Sequence, residues 1–388
     1  MDNNVLTQIY NGHILTPEGW INGGSLLMQD GRIVEIRKNS HLEPRAIRHI
    51  DAHGNHVVPG GIELHCHGGG GSDFMEGTPE AFKTATAAHM KHGTTAMYAT
   101  LSSSTLPMIE KACETCSELM KEPDSPIMGL HLEGPYFNPR KAGAQMPDII
   151  RIPNVAEYHH IVEDYDAVKR WSSAPELPGA IELGRYLVDK GIVPAIGHTD
   201  AEYPDVKAAY EAGYRHATHF YNGMPGFHNV REFKHAGTVE AVYLMEEMTV
   251  EMIADGIHVP ASILKLVHRI KGVERTALIT DALAMTASDS DKAFDPRVII
   301  EDGVCKLSDR SALAGSIATM DRLIRTAVQQ AEIPLHDACR MVSETPARIM
   351  GIYDRKGSLQ RGKDADIMVL DNELNVHAVY AMGKHVEL

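Results

Sequence analysis

Between about residue 57 and residue 280, short apolar runs alternate with helical patterns, and this alternation constrains the chain more than any other feature. Runs begin near Val57, Thr94, Ile127, Val168, Ile192, His216, Val250 and Thr276. Helical patterns follow several of them, as in Pro79–His92, Leu106–Lys121, Ile181–Lys190 and Ile263–Ile270. Strand–helix alternation implies a parallel sheet, and eight units predict an α/β chain with a (β/α)₈ barrel, assigned to residues 57–356. The flanks read differently. Residues 1 to about 55 alternate in the β manner, with turns at Asn11-Gly12, Asn22-Gly23-Gly24 and Asp30-Gly31. Residues 367–370 and 376–386 do the same after the turn-rich Gly357 to Gly362. A small β-sandwich domain built from both termini, residues 1–56 plus 357–388, is expected. Residues 136–166, rich in Pro, Asn and charge, read as a long connection and a candidate substrate loop.

A barrel of roughly 250 residues fits in this chain with about a hundred to spare. The formal net charge of −15 argues against a nucleic-acid or membrane-surface partner. It also requires any anionic substrate to be held by a local cationic pocket. No stretch approaches the roughly 20 apolar residues of a membrane span, and the first residues lack the pattern of a signal peptide. Five cysteines in 388 residues make no disulfide framework, so a reducing, cytoplasmic location is expected.

Five segments follow apolar runs and end in a metal-type ligand or an acid. His65 and His67 stand two apart on a predicted strand, so they point the same way while Cys66 faces the other side. The Gly68–Gly71 run after them lets the backbone pass close to whatever sits there. Glu133 ends a run before Gly134-Pro135, and a carboxylate there is costly to bury unless paired or metal-bound. His198 and His219 each follow a further run, and Asp281 ends the last. Any one of these alone is more simply a packed histidine or an ion-paired acid. At the C-terminal strand ends of one barrel, His65, His67, Glu133, His198 and His219 form a ligand set for one divalent ion, or for two with Glu133 bridging. Zinc suits such donors best, with iron or manganese as alternatives. Asp281 is then a candidate for moving a proton to and from metal-activated water, or else a further ligand or a helix cap. Cys113 and Cys116 lie inside a helical pattern with no second pair, and helix packing explains them. The glycine run lacks the Gly-Lys-Ser/Thr of a phosphate loop, and Met245–Met252 reads as core filler.

Several stretches resemble the amidohydrolase superfamily and, within it, the N-acetylglucosamine-6-phosphate deacetylases. They are His131-Leu132-Glu133-Gly134-Pro135, Lys141-Ala142-Gly143-Ala144-Gln145, Gly197-His198-Thr199-Asp200 and Ala217-Thr218-His219-Phe220-Tyr221-Asn222-Gly223-Met224. Ile253-Ala254-Asp255-Gly256-Ile257-His258-Val259, Thr280-Asp281-Ala282 and Leu313-Ala314-Gly315-Ser316 continue the match. Thr345-Pro346-Ala347-Arg348 and Gly362-Lys363-Asp364-Ala365-Asp366 are shared with amidohydrolases broadly. The resemblance implies metal-dependent removal of acetate from a phosphorylated amino sugar, by a homodimer. It implies that Glu133, His198 and His219 hold the catalytic metal, that His65 and His67 serve a second site, and that Asp281 is the general base and acid. Substrate contacts are implied at Ala144, Gln145, Asn222, Gly223, Arg231, Asp255, His258, Leu313, Ala314 and Gly315, with Arg231 and His258 near the phosphate and residues around Arg231 reaching a neighbouring subunit.

The chain departs from that pattern twice. Gln145 stands where some members carry a histidine, and the segment after Arg231 is Glu232-Phe233-Lys234-His235-Ala236-Gly237 in place of Glu-Pro-Gly. The rivals are a related enzyme for another N-acetyl sugar phosphate, such as N-acetylgalactosamine 6-phosphate, and a non-catalytic assembly protein on the same fold. Retention of Asp281 beside all five ligands counts against the last.

Overall fold

The structure, a computed structural model, describes residues 5–290 and 292–388. The N-terminal part forms β1 (Thr7–Thr16), β2 (Gly19–Gln29), β3 (Arg32–Arg37), β4 (Arg48–Asp51) and β5 (His56–Pro59). The barrel follows as β6 (Gly61–Cys66), β7 (Thr94–Leu101), β8 (Ile127–Glu133), β9 (Val168–Ser173), β10 (Val193–Ile196), β11 (His216–Ala217), β12 (Thr249–Ile253) and β13 (Thr276–Ile279). The chain then returns through β14 (Ile367–Leu370), β15 (Val376–Ala381) and β16 (Lys384–Val386).

The barrel strands pair in parallel and in sequence order from β6 to β13, the (β/α)₈ arrangement that the alternation predicts. Its seam closes through isolated bonds. Asp281 N–H donates to the His65 carbonyl at 2.9 Å, and His67 N–H donates to that of Ala282 at 2.8 Å. Below them the buried Glu63 carboxyl accepts from the N–H groups of His65 at 3.1 Å and Thr280 at 3.3 Å. Thr78 caps the helix Pro79–Met90 by accepting from Ala81 N–H, and Gly272, at φ 73°, ends the helix Ala261–Lys271.

β1 to β5 and β14 to β16 form one mixed eight-stranded sheet around its own core, which includes Ile14, Leu26, Val57, Ile367 and Val369. This is the small domain of both termini. Val57 lies in β5 of this sheet, and the first barrel strand starts four residues later at Gly61. The Gly362-Lys363-Asp364-Ala365-Asp366 motif fastens the terminal sheet to the chain leaving the barrel. The buried Lys356 Nζ lies 2.9 Å from Asp364 Oδ2 and 2.6 Å from Asp366 Oδ2.

Residues 136–166 are not all loop: a short 3₁₀ turn at Pro139–Lys141 is followed by the helix Val155–Asp164, capped by Asn154. The polar composition misled because only Tyr158 and Ile161 of that helix are buried. Cys113 and Cys116 pack inside the helix Leu106–Met120, and all five cysteines are free and buried. Burial pushes the Cys113 thiol up to about 12, which fits packing and not redox chemistry. Met248 and Met252 are core residues. No helix among the described residues is long and apolar enough to cross a membrane.

Candidate active site

At the C-terminal mouth of the barrel lies a cavity of about 320 Å³. His67, Glu133, His198, His219 and Asp281 line it, and His65 lies completely buried beneath. Each side chain is delivered by a strand end, and three of the positions use a backbone that L-residues avoid. His198, His219 and Asp281 have φ of 45°, 27° and 50°, which turns the chain sharply out of β10, β11 and β13. Left-handed backbone at a non-glycine costs on the order of 1–2 kcal/mol per residue, and the surrounding packing sustains it here.

The imidazoles share one arrangement. His198 Nδ1 donates to the Lys141 carbonyl at 2.8 Å, and His219 Nδ1 to the Asn222 carbonyl at 3.1 Å. His67 Nδ1 lies 3.1 Å from Ser102 Oγ, and His65 Nδ1 lies 3.3 Å from Glu251 Oε2. Every Nε2 therefore points inward. Those of His198 and His219 lie 3.1 and 2.9 Å from Glu133 Oε1, while that of His67 lies 3.5 Å from Glu133 Oε2 and 3.2 Å from Asp281 Oδ1.

With their protons on Nδ1, the Nε2 atoms of His198 and His219 face each other at 3.1 Å, lone pair to lone pair. The Nε2 of His65 is buried without a hydrogen-bond partner. Converging lone pairs with no proton between them are what a divalent cation satisfies, so the donor set fits a metal. Two overlapping groups qualify, His65–His67–Glu133 and Glu133–His198–His219, each with ligand atoms within 4.8 Å of one another. Burial would raise the Glu133 carboxyl, but His65, His198 and His219 outweigh it and hold it well below the usual carboxylate range. Asp281 is likewise lowered against burial, chiefly by His65 and His67.

The model of the amidohydrolase family matches residues 56–386. The chain belongs to the amidohydrolase family. Curated relatives include the N-acetylglucosamine-6-phosphate deacetylase of Bacillus subtilis (strain 168), 31% identical over 378 residues that span 95% of this chain and 94% of the relative. The N-acetylgalactosamine-6-phosphate deacetylase of Escherichia coli O157:H7 is 29% identical over 376 residues, 96% of this chain and 97% of the relative. Among solved structures, a mutant N-acetyl-D-glucosamine-6-phosphate deacetylase from Mycobacterium smegmatis, in complex with N-acetyl-D-glucosamine-6-phosphate, superposes with a TM-score of 0.90 at 31% identity, covering 99% of this chain and 100% of that one. The N-acetylglucosamine-6-phosphate deacetylase of Pasteurella multocida gives a TM-score of 0.92 at 28% identity, covering 98% and 99%.

The rim of this amidohydrolase site is only partly what the sequence suggested. Ala144, Gln145, Asn222, Gly223, His258, Leu313, Ala314 and Gly315 line the cavity. Gly223 has φ +62, and a Cβ there would come within 3.2 Å of His198 Nδ1. Gln145 donates from Nε2 to Glu133 Oε2 at 2.7 Å, while its Oε1 accepts from Ser103 N–H at 2.8 Å. Asp255 stands behind the wall and grips His258 Nδ1 at 2.8 Å. Arg231 is absent from the cavity. It sits exposed at the turn of the hairpin formed by His228–Val230 and Phe233–His235. Asp73, Ser102, Ser103 and Phe294 line the site without having been singled out. The signal for Asp73 was available, since it stands just beyond the glycine run after Ser72; burial lifts its carboxyl to about 6.

Proposed function

We propose that this chain is a metal-dependent deacetylase that converts N-acetyl-D-glucosamine 6-phosphate to glucosamine 6-phosphate and acetate in cytoplasmic amino-sugar breakdown. The observation that carries the reading is the convergence of imidazole Nε2 atoms on Glu133 with Asp281 alongside. The relatives named above, spanning nearly the whole chain, supply the substrate class. The catalytic unit is residues 61–356, with 1–60 and 357–388 as its supporting β domain.

In this reading Glu133, His198 and His219 hold one divalent ion, and His65, His67 and Glu133 a second. Zinc is the best match to these donors, with iron or manganese as alternatives. A metal bound there polarises the acetyl carbonyl and lowers the pKa of water. Asp281 takes the proton of the attacking water on a carboxylate oxygen and returns it to the amide nitrogen as the C–N bond breaks. The amine and acetate leave. Gln145 fixes the Glu133 carboxylate, and Asn222, Gly223, Leu313, Ala314 and Gly315 shape the sugar pocket around it.

The phosphate requires cationic or hydrogen-bonding partners, and among the described residues no Lys or Arg lines the cavity. His258, held by Asp255, is one partner. Arg231 is the other, contributed in a homodimer by the neighbouring subunit. The exposed apolar side chains of Phe227, Val230 and Phe233 on the same hairpin favour its burial against another surface.

Acetate release measured over N-acetylglucosamine 6-phosphate, N-acetylgalactosamine 6-phosphate and unphosphorylated N-acetylglucosamine tests the proposal. The first substrate is expected to be turned over best and the third poorly. The second reading, an enzyme for the galacto epimer, is favoured by the Escherichia coli relative and wins if the order of the first two is reversed. Absence of acetate from all three, with metal bound, removes the deacetylase assignment.

A further inference from the structure

Beneath the metal ligands the barrel interior is polar, and one side chain there has a relation to the site that the others lack. Among the four histidines of the ligand set, His198 and His219 have Nδ1 fixed by backbone carbonyls and His67 by a serine hydroxyl. His65 alone presents its Nδ1 to a carboxylate, Glu251 Oε2 at 3.3 Å. Glu251 lies on β12, the second strand round the closed barrel from β6, and both residues are fully buried. The fully buried Arg170 of β9 bonds directly to Glu251 Oε1, and also donates to the Leu64 carbonyl at 3.0 Å and to Thr218 Oγ1 at 2.9 Å. His216 Nε2 stands 3.4 Å from Glu251 Oε1. On the other oxygen, the His219 backbone N–H reaches Glu251 Oε2 at 3.4 Å.

An ion pair so deeply buried is a poor source of stability, because desolvation of the two groups consumes most of their attraction. Its placement has a different consequence. An ionised carboxylate accepts and cannot donate, so it selects the His65 form with the proton on Nδ1. That leaves Nε2 bare, and Nε2 is the buried nitrogen without a partner that faces Asp281 Oδ1 at 3.4 Å and Glu133 Oε1 at 3.6 Å. Carboxylate-to-histidine contacts behind a metal fix the ring and raise its basicity. We infer that Glu251, kept in place by Arg170, is a positioning residue that presets His65 Nε2 as a metal ligand and so tunes the affinity of the His65–His67–Glu133 site selectively over that of the Glu133–His198–His219 site. The inference rests on the two-site reading of the preceding subsection.

Replacement of Glu251 by Gln keeps the volume, but the amide can donate to Nδ1 and so stabilise the wrong ring form. In Glu251→Gln the second equivalent of zinc should bind roughly 10- to 100-fold more weakly, while the first equivalent changes far less. Equal affinities to wild type for both equivalents, in folded protein, would overturn the inference, as would equal losses at both sites. A purely structural ion pair would lower the melting temperature without separating the two affinities. Should Glu251→Gln fail to fold because Arg170 is left uncompensated, the Arg170→Gln/Glu251→Gln double variant removes both charges and carries the same expectation. A direct readout needs no variant of the pair. Nitrogen-15 spectra of metal-free wild-type protein, with the His65 signal assigned by its loss in His65→Gln, should show the proton on Nδ1. A proton on Nε2 would overturn the inference. If the wild type never takes up a second equivalent, the two-site reading fails while the ring-form result still decides the role of Glu251.

Discussion

The floor of the site and its rim are built to different standards. On the floor, each imidazole has a partner behind Nδ1 within 3.3 Å, and Glu133 is held from several sides. On the rim, the aromatic and aliphatic residues of the cavity wall include Phe294 and Leu313, and the arginine assigned to the phosphate stands outside it. In the proposed reading one chain supplies the reaction chemistry and His258, and the neighbouring subunit supplies Arg231 for the phosphate. Binding energy on parts of the sugar away from the amide is free to vary between relatives without touching the reacting centre, which is consistent with two sugar epimers among the curated relatives.

The largest effects should come from the floor. Glu133→Gln removes the acid common to both ligand groups, so metal content should collapse and acetate release fall to background. Full metal occupancy with near-normal turnover in that variant would break the assignment. Asp281→Asn keeps shape and much of the hydrogen bonding but cannot accept a proton. General acid–base groups contribute about 10²–10⁴-fold, and a residue acting in both directions belongs at the upper end. The variant should still bind metal and sugar phosphate, with kcat reduced far more than affinity. More than a tenth of wild-type kcat would take Asp281 out of the mechanism.

Rim changes should be smaller and should appear in substrate affinity. Loss of one charge-assisted contact costs about 1.5–3 kcal/mol, so Arg231→Ala is expected to lower kcat/KM by roughly 10- to 100-fold. The comparison sharpens when Arg231→Ala and Asp281→Asn subunits are mixed and allowed to exchange. If Arg231 serves the neighbour's site, mixed dimers regain a site with both groups intact and activity rises above either parent. An inactive mixture would place Arg231 in its own subunit's site or in none.

The effect furthest from turnover belongs to the buried residues around the site and concerns stability. His89 is fully buried, its Nε2 2.9 Å from the Gly68 carbonyl, and burial pushes its pKa down to about 4 from 6.5. Below pH 6.5 the unfolded chain binds a proton there that the native protein refuses, so stability falls as pH drops from 6.5 towards 4. The full excursion is worth roughly 3 kcal/mol at 1.36 kcal/mol per unit. Urea unfolding of His89→Gln at pH 7 and pH 4.5 should show that part of the slope removed. An unchanged slope would assign the acid sensitivity to other groups.

The strand-end ligands were legible because a histidine or acid after an apolar run is conspicuous, and barrel geometry then says where all such ends meet. What lies one layer deeper was harder to read. Glu63, Arg170 and Glu251 are charged residues inside barrel strands, and alternation alone does not say whether such a charge faces outward to water or inward to a partner. Arg170 of β9 meets Glu251 of β12, and Glu63 of β6 reaches Thr280 beyond β13, proximity that exists only after closure of the barrel. The helix Val155–Asp164 hid behind its polar surface. Arg231 carried the opposite lesson: a motif can place a residue in sequence without placing its side chain in the site of the same subunit.

The most direct test of the account is metal reconstitution followed by acetate release from N-acetylglucosamine 6-phosphate. Protein stripped with chelator should release no acetate, and activity should return in step with zinc bound per subunit, while Asp281→Asn binds the same zinc and stays inactive. Acetate release at an undiminished rate by metal-free protein, or by the metal-loaded Asp281→Asn variant, would contradict it.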